Sequence, residues 1–283
     1  MLIEVQHWSG AGNRFVIIDN RQNRIDNQLN SLVKSLCQRK DLPDAEGLLV
    51  LLESDRTKSS CNYDFYNPDG STGLMCGNGA RCAVQHAILT DHFDQKEIHL
   101  ILNNRPYTAK AFENDRVALR LPLYKDLRLM DSWTYVNVGS HHVVIDAREF
   151  VQSIDEFKRF DLVKFAKENL DFYRNQIGIS TLNLNIGYPV EDKTIIHLRT
   201  YENGVFDETQ ACGTGSVSTA VAFWTRNIIR KAKIDLIPTS QRFLTVHLEL
   251  DDKEENILGM ILEGDARQDT SPSQFDTISM QYQ

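Results

Sequence analysis

The sequence has no long apolar run and no excess of positive charge. No stretch approaches the ~18 apolar residues of a membrane span, so we predict no membrane-spanning segment. A formal net charge of −8 gives no basic surface for nucleic acid or anionic lipid. With 283 residues, 41% hydrophobic and 25% charged, the composition is that of a soluble globular protein with one large or two medium domains.

The sequence also has no Cys-x-x-Cys pair, which argues against a structural zinc site. An odd, unevenly spaced set of cysteines is not typical of a disulfide framework. Residues 1–5 lack the pattern of a signal peptide, and we expect a reducing, cytoplasmic location. The cysteines are Cys37, Cys61, Cys76, Cys82 and Cys212.

Two of these cysteines open Cys-Gly-x-Gly segments, at residues 76–79 and 212–215. Each segment leads into a predicted helix. A thiolate is the reactive form of cysteine, and a helix N-terminus lowers the pKa of a thiol. The glycines leave backbone N–H groups open to an anion such as a carboxylate. The pattern therefore predicts a thiol beside a carboxylate-binding site in each half of the chain.

A single cysteine before a glycine turn is more often structural and inert, but two at equivalent places are harder to dismiss. The pair leaves three alternatives: a redox dithiol, a Cys–His acyl-transfer site and a two-base proton-transfer site. The redox alternative usually brings Cys-x-x-Cys. Acyl transfer gives no role to a second matching cysteine. Only two-base transfer, with a thiolate and a thiol on opposite faces of a carbanion, requires the symmetry.

The order strand, turn, cysteine motif, helix, strands occurs twice, about 136 residues apart, and indicates an internal duplication. We predict domains at 1–129 and 130–264, with a tail at 265–283 that is peripheral or returns to the first domain. The predicted helices are 29–39, the segment after Cys76 to about 89, 160–173 and 216–231. The predicted strands include 15–19, 48–52, 98–102, 117–121, 194–200, 243–250 and 257–262.

The motifs resemble those of the diaminopimelate epimerase family over nearly the whole chain. The segments that carry the resemblance are 9–13, 67–71, 75–82, 139–142, 202–204 and 208–215. The resemblance implies an α/β (α+β) fold with two pseudo-symmetric domains. Each would be a curved, mostly antiparallel sheet wrapped around a central helix, with the active site in the interdomain cleft.

The resemblance also implies an isomerase that needs neither pyridoxal phosphate nor a metal. It would epimerise LL-2,6-diaminopimelate to the meso form in lysine and peptidoglycan-precursor synthesis. The expected partner is a small amino acid substrate, with neither nucleic acid nor membrane, and a homodimer is possible.

Carried over position by position, the resemblance makes Cys76 and Cys212 the acid and base. His142 and Glu202 would tune the thiols or hold the amino group of the substrate, although alone each would more often be an ordinary polar residue. The expected substrate-binding residues are Gly77, Asn78, Gly213 and Thr214 at the reacting carboxylate, Asn13, Asn67 and Asn183 at the distal end, and Ser140 and Asn203 at positions that differ from the family. Asn185 competes with Asn183.

The departures from the family pattern fall mostly at positions that would bind the distal end of the substrate. Asn203 replaces an arginine that pairs with the distal carboxylate, and asparagine offers only neutral hydrogen bonds. Ser140 replaces an asparagine, His141 a proline, and Arg14 an aspartate; the loop 205–207 is one residue longer. Two alternatives follow: a cofactor-independent racemase for a different amino acid, and a non-catalytic relative that only binds amino acids.

Overall fold

The computed structural model describes residues 2–22, 25, 29–38, 45–73, 75–93, 97–190, 194–269 and 276–279. It divides into two compact units, one of Met1–Arg120 with Gly264–Gln283 and one of Leu121–Glu263. No helix in these ranges is long and apolar enough to cross a membrane.

The first unit alternates antiparallel and parallel strand pairs. Strands β1 and β2 are antiparallel, β2 and β3 parallel with α1 between them, and β3 and β4 antiparallel. Strands β4 and β5 are then parallel with α2 between them, and β5, β6 and β7 are antiparallel. The elements are β1 (Leu2–Gly10), β2 (Asn13–Asp19), α1 (Leu29–Cys37), β3 (Leu48–Asp55), β4 (Ser60–Tyr66), α2 (Gly77–Asp91), β5 (Glu97–Leu102), β6 (Arg105–Ala111) and β7 (Arg116–Leu121).

Helix α2 lies at the centre of the first unit. It contacts all strands from β1 to β6, and every residue from Gly77 to Ala87 is buried. A helix that is buried on all sides needs small residues to let strands approach. Gly10 shows this closeness, because a Cβ there would lie 2.7 Å from the Asn78 carbonyl oxygen. The strands therefore hold the first turn of α2 in place.

The second unit repeats this order. Strands β9 and β10 are antiparallel, β10 and β11 parallel with α3 and α4 between them, and β11 and β12 antiparallel. Strands β12 and β14 are parallel with α5 between them, and β14 and β15 are antiparallel. The elements are β8 (Asp126–Leu129), β9 (Trp133–Asn137), β10 (His141–Asp146), α3 (Ile154–Arg159), α4 (Leu162–Ile177), β11 (Asn183–Pro189), β12 (Ile195–Glu202), β13 (Asp207–Glu208), α5 (Gly213–Thr225), β14 (Lys233–Ile237), β15 (Leu244–Leu250) and β16 (Ile257–Asp265).

Helix α5 holds the central place in the second unit that α2 holds in the first. It contacts β9 to β12 and β15, and nearly all of it is buried. Helices α3 and α4 cover the other side of the sheet, where Phe157, Leu162 and Leu170 pack against Leu184 and Tyr201. The predicted fold class, with each sheet around a central helix, is confirmed.

Two short strands return the chain to the first unit. Strands β17 (Arg267–Gln268) and β18 (Asp276–Ser279) both pair antiparallel with β1. Residues 121–129 group with the second unit, because β8 pairs with β9 across residues 126–137. The structural division therefore falls after residue 120, where the sequence pattern placed it after residue 129.

Helix ends differ most from the sequence predictions. The helix predicted over 216–231 spans Gly213–Thr225, because Asn227 has φ +60 and the Ile228 and Ile229 N–H groups both bond to the Phe223 carbonyl oxygen. The helix predicted over 160–173 spans Leu162–Ile177, and the capping side chain of Asp161 fixes its start. The predicted end of α1 at residue 39 lies outside the described residues.

Candidate active site

Cys76 is the N-cap residue of α2. Its backbone is extended, with φ −107 and ψ 110, and its sulfur accepts a hydrogen bond from the Gly79 N–H at 3.5 Å. An N-cap side chain normally supplies an oxygen to this N–H group. Here the sulfur of a partly buried cysteine takes that place at the positive end of the helix, which favours the thiolate.

Cys212 has the same geometry at the start of α5. Its φ is −103 and its ψ is 113, and its sulfur accepts from the Gly215 N–H at 3.3 Å. Cys212 is buried, with 6% of its surface exposed. Each unit therefore presents one thiol at the N-terminus of its central helix.

Glu202 lies beside Cys212. It ends β12, and its carboxyl group is hydrogen-bonded to the thiol. Burial raises the pKa of Glu202, and hydrogen bonds with the side chains of Thr209 and, to a smaller extent, Cys212 offset part of that rise. A carboxyl group and a thiol that share one hydrogen bond can exchange a proton. The structure therefore brings Glu202 and Cys212, two of the predicted site residues, together.

A chain of hydrogen bonds fixes the orientation of His142. The Asn185 carbonyl oxygen accepts from the Thr200 hydroxyl at 3.0 Å, so its amide nitrogen faces the other way. That nitrogen donates to the Val143 carbonyl at 2.9 Å and lies 3.0 Å from His142 Nδ1. Nδ1 is therefore an acceptor, and the ring proton of a neutral His142 is on Nε2.

His142 Nε2 faces two hydroxyl groups, Ser140 at 2.9 Å and Thr214 at 3.0 Å. Burial lowers the pKa of His142 to about 3, so the ring is neutral at physiological pH. The Thr214 hydroxyl lies 3.5 Å from the Cys212 sulfur. When it accepts from His142, the hydroxyl is free to donate its own proton to the sulfur, which stabilises a thiolate.

The side chain of Asn78 points into the first unit. Its carbonyl oxygen accepts from Arg81 at 2.8 Å, and Arg81 also donates to the carbonyl oxygens of Gly77 and Asp265. Arg81 is fully buried, and burial lowers its pKa to about 10. Arg81 therefore ties the start of α2 to the returning chain.

The predicted distal-end residues of the first unit have partners within it. The buried Asn13 amide donates to Glu46 at 2.7 Å. The Asn67 amide donates to the Ser71 hydroxyl at 3.0 Å and holds the turn 67–70. Both amides would exchange these contacts if they bound a ligand.

In the second unit, Asn183 and Asn185 have separate contacts. The Asn183 side chain donates to the His141 carbonyl at 3.2 Å and accepts from the Asn203 N–H at 2.8 Å. It therefore holds the turn after Glu202, whereas Asn185 holds His142. His141 stacks on Tyr135, whose hydroxyl lies 2.6 Å from His141 Nδ1.

Sequence reasoning missed three side chains at these sites. Arg81 lies inside the first cysteine motif and could have been found there. Thr200 and Arg174 lie on a strand and a helix with no motif of their own, and only the fold brings them to Asn185 and Asn203. Among the described residues, no three His, Cys, Asp or Glu side chains come together as a possible metal site.

The fold and the two thiol-capped helices define a class of isomerase that racemises or epimerises amino acids. Residues 7–116 match the family model described as "Diaminopimelate epimerase". A curated diaminopimelate epimerase from Flavobacterium psychrophilum is 33% identical over 78% of this chain and 81% of its own. The chain belongs to the diaminopimelate epimerase family.

Two further comparisons concern the sequence and the fold separately. A diaminopimelate epimerase from Aquifex aeolicus is 29% identical over 89% of this chain and 92% of its own. A crystal structure of a Bacillus anthracis phenazine biosynthesis protein of the PhzF family matches 99% of this chain and 100% of its own, with a TM-score of 0.72 and 14% identity. At that identity the likeness shows the fold alone.

Proposed function

We propose that this protein epimerises LL-2,6-diaminopimelate to the meso form without a cofactor. The observation that carries the proposal is the pair of cysteine N-caps, which have nearly identical backbone angles in two units of duplicated topology. A mechanism with one acid and one base needs two such groups. The named activity of relatives up to 33% identical supports the choice of substrate.

The proton balance of the reaction is simple. One cysteine, as thiolate, takes the α-proton and becomes a thiol, and the pair of electrons stays on the α-carbon. The other cysteine, as thiol, gives its proton to the opposite face of that carbon and becomes a thiolate. Cys76 and Cys212 exchange protonation states in each turnover, and proton exchange or the reverse reaction resets them.

The α-proton of an amino acid is far less acidic than a thiol, so the carbanion must be stabilised. Backbone N–H groups aimed at the substrate carboxylate would do this as charge moves onto its oxygens. The first turns of α2 and α5 supply such groups, at Gly77 and Asn78 and at Gly213 and Thr214. Exclusion of water would strengthen these contacts.

The second unit adds a means of changing the charge on Cys212. Glu202 accepts the proton of the thiol, or returns it, through their hydrogen bond. Thr214 donates to the sulfur when the thiolate forms. His142, held neutral by burial, directs the Thr214 proton and adds no charge.

The remaining predicted residues would bind the distal end of the substrate. Asn13, Asn67 and Asn183 offer amide groups, and Ser140 and Asn203 lie at the positions that differ from the family. Each would exchange a contact within the protein for one to the ligand. We also propose a cytoplasmic location, since the thiols must stay reduced, and a homodimer, which analytical ultracentrifugation would test.

Asn203 favours one alternative function, the racemisation of a different amino acid. A solvent-exchange experiment separates the two. The protein is incubated in deuterated water with diaminopimelate, lysine, glutamate, proline and alanine, and α-deuterium is measured by mass spectrometry. We expect fast exchange with diaminopimelate and only slow exchange with lysine at high concentration. Exchange with another amino acid instead would support the alternative, and exchange with none would indicate a binding protein.

A further inference from the structure

A guanidinium group touches the turn that follows Glu202. Arg174, in the last turn of α4, donates from Nη2 to the Asn203 side-chain oxygen at 3.1 Å. Asn203 directly follows Glu202, whose carboxyl group is bonded to the Cys212 thiol. The backbone N–H of Asn203 is fixed by Asn183. Arg174 is therefore held close to Glu202 and Cys212 by contacts that all lie within the second unit.

The contacts of Arg174 are weak for a partly buried arginine. Its partner on Nη2 is a neutral amide, and its partner on Nη1, Asp171, is 85% exposed. Exposed ion pairs contribute little. Its Nε atom is buried and has no hydrogen-bond partner among the described residues. A buried donor without an acceptor is costly, so the group lacks one good acceptor.

Other arginines of the second unit differ in this respect. Arg199 forms a two-pronged pair with Glu208 and donates to two backbone carbonyls. Arg226 donates to Thr134 and to backbone carbonyls at residues 130–133. Both guanidinium groups are bonded on every edge. In Arg174, the edge formed by Nε and Nη2 differs: Nη2 has only a neutral partner, and Nε has none among the described residues.

That edge is the one on which a guanidinium binds a carboxylate with two parallel hydrogen bonds. Diaminopimelate carries a second carboxylate at the end away from the reacting carbon. Lysine is the same molecule without it. A protein that acts on the first and not on the second needs a cation near its distal end.

We propose that Arg174 is the specificity-determining residue that binds the distal carboxylate. Nε and Nη2 donate to its two oxygens, and Asn203 gives up its bond to Nη2 and turns its amide toward the ligand. This inference rests on the proposed function and adds to it the residue that selects a dicarboxylic substrate. It also explains how a chain with Asn203 recognises a distal carboxylate: the cation comes from α4 instead of the turn.

Steady-state kinetics of the full-length protein test the inference. In Arg174→Gln we expect KM for diaminopimelate to rise about 10- to 100-fold, as for loss of a charge-assisted contact, with kcat within about threefold. Arg174→Lys keeps the charge but cannot donate two parallel hydrogen bonds to a carboxylate, and we expect an intermediate KM. Asp171→Asn is the matched control; it removes the exposed partner of Arg174 and leaves KM unchanged.

A rescue and a second substrate exclude a merely structural role. Adding Asn203→Arg to Arg174→Gln restores a guanidinium at the same turn, and we expect KM to fall back by at least fivefold. Slow α-hydrogen exchange of lysine at high concentration, measured in deuterated water, should be equal in the wild-type protein and in Arg174→Gln.

The results separate the role of Arg174 from the proposed function. An unchanged KM in Arg174→Gln, or an equal loss with diaminopimelate and lysine, overturns the role of Arg174 and leaves the proposed function standing. A wild-type protein that does not exchange diaminopimelate at all overturns the proposed function and the inference with it.

Discussion

At the scale of single residues, each unit has a sulfur in the place of an N-cap oxygen at the start of its central helix. Cys76 and Cys212 accept from the N–H three residues ahead, as serine or aspartate would in an ordinary helix. At the N-cap position, the positive end of the helix stabilises a thiolate. The sulfur there lies beyond the first turn and is not enclosed by the helix. The geometry that begins each helix therefore also favours the thiolate, the form that the proposed mechanism needs in its base.

Serine substitutions test this use of sulfur. Cys76→Ser and Cys212→Ser keep an N-cap acceptor, so we expect helix α2 or α5 to form and the thermal midpoint to change little. A hydroxyl is too weak an acid for the exchange, and we expect kcat to fall by about 10²- to 10⁴-fold in each variant, the range of general acid–base catalysis. Circular dichroism and coupled turnover assays measure the two effects. Near-normal turnover in either variant would exclude that cysteine as acid or base.

His142 gives a stability effect whose direction with pH is fixed. Its pKa is about 3 in the folded protein and near 6.5 when unfolded, so the unfolded chain binds the proton first. The contribution of neutral His142 is fully present above pH 6.5 and is lost as pH falls toward 3. In urea unfolding between pH 7 and 4, His142→Asn should show a smaller loss of unfolding free energy than the wild type.

The matched control for this experiment is His99→Asn, a histidine exposed on β5 of the first unit. It should follow the wild-type curve. His86 is buried with a pKa lowered to about 4, so part of the wild-type slope persists in His142→Asn. A His142→Asn curve parallel to that of the wild type would contradict the assignment of a buried, neutral ring.

At the scale of elements, the approach of α5 to its sheet decides the site. A Cβ on Gly215 would lie 2.5 Å from the Asn185 side-chain oxygen and 3.1 Å from the Thr200 hydroxyl. These are the two groups that orient His142. The glycine thus serves the packing of the helix and the tautomer of the histidine together.

Gly215→Ala should therefore lower both stability and activity. We expect a loss of about 1–3 kcal/mol in unfolding free energy, as for overpacking, and a fall in kcat. Gly79→Ala in α2 is the control, because its Cβ would meet only the Phe15 ring edge at 3.2 Å, which can shift. Chemical denaturation and turnover assays compare the two. Equal effects from both substitutions would argue against a special role for the Asn185 contact.

The elements next to the cysteines were predictable because their signals are local. A cysteine, glycines and an apolar segment mark the starts of α2 and α5. The end of α5 was not, because Asn227 stops the helix although Ile228 and Ile229 continue the apolar pattern. Helix α3 and strands β6 and β14 were missed, since each is short, with 6, 7 and 5 residues respectively.

The contacts between side chains of the site were even harder to predict from the sequence than the helices and strands. Spacing along the chain left Asn183 and Asn185 as competing ligands. Two residues along a strand place their side chains on the same face, so the pattern cannot separate them. The structure does so through partners distant in sequence, His142 and Thr200 for Asn185 and Asn203 for Asn183. Arg174, 29 residues before its partner Asn203, had no sequence signal.

At the scale of the whole molecule, the two units share a topology but not their polar surroundings. Around Cys76 the buried charge is the guanidinium of Arg81, which binds the first turn of α2. Around Cys212 it is the carboxyl group of Glu202, with a neutral histidine beyond Thr214. Duplication supplies the two like groups that the reaction needs. In the proposed mechanism, the divergence of their neighbours would allow one thiol and one thiolate at the same time.

The central claim is that two different cysteines handle the departing and the arriving proton. Its most direct test is the position of deuterium when LL-diaminopimelate reacts in deuterated water and is sampled at early conversion. A thiol that delivers a solvent-derived deuteron to the opposite face should label the meso product, while recovered LL substrate stays unlabelled. Equal label in both pools would indicate a single base that serves both faces, and would contradict the account.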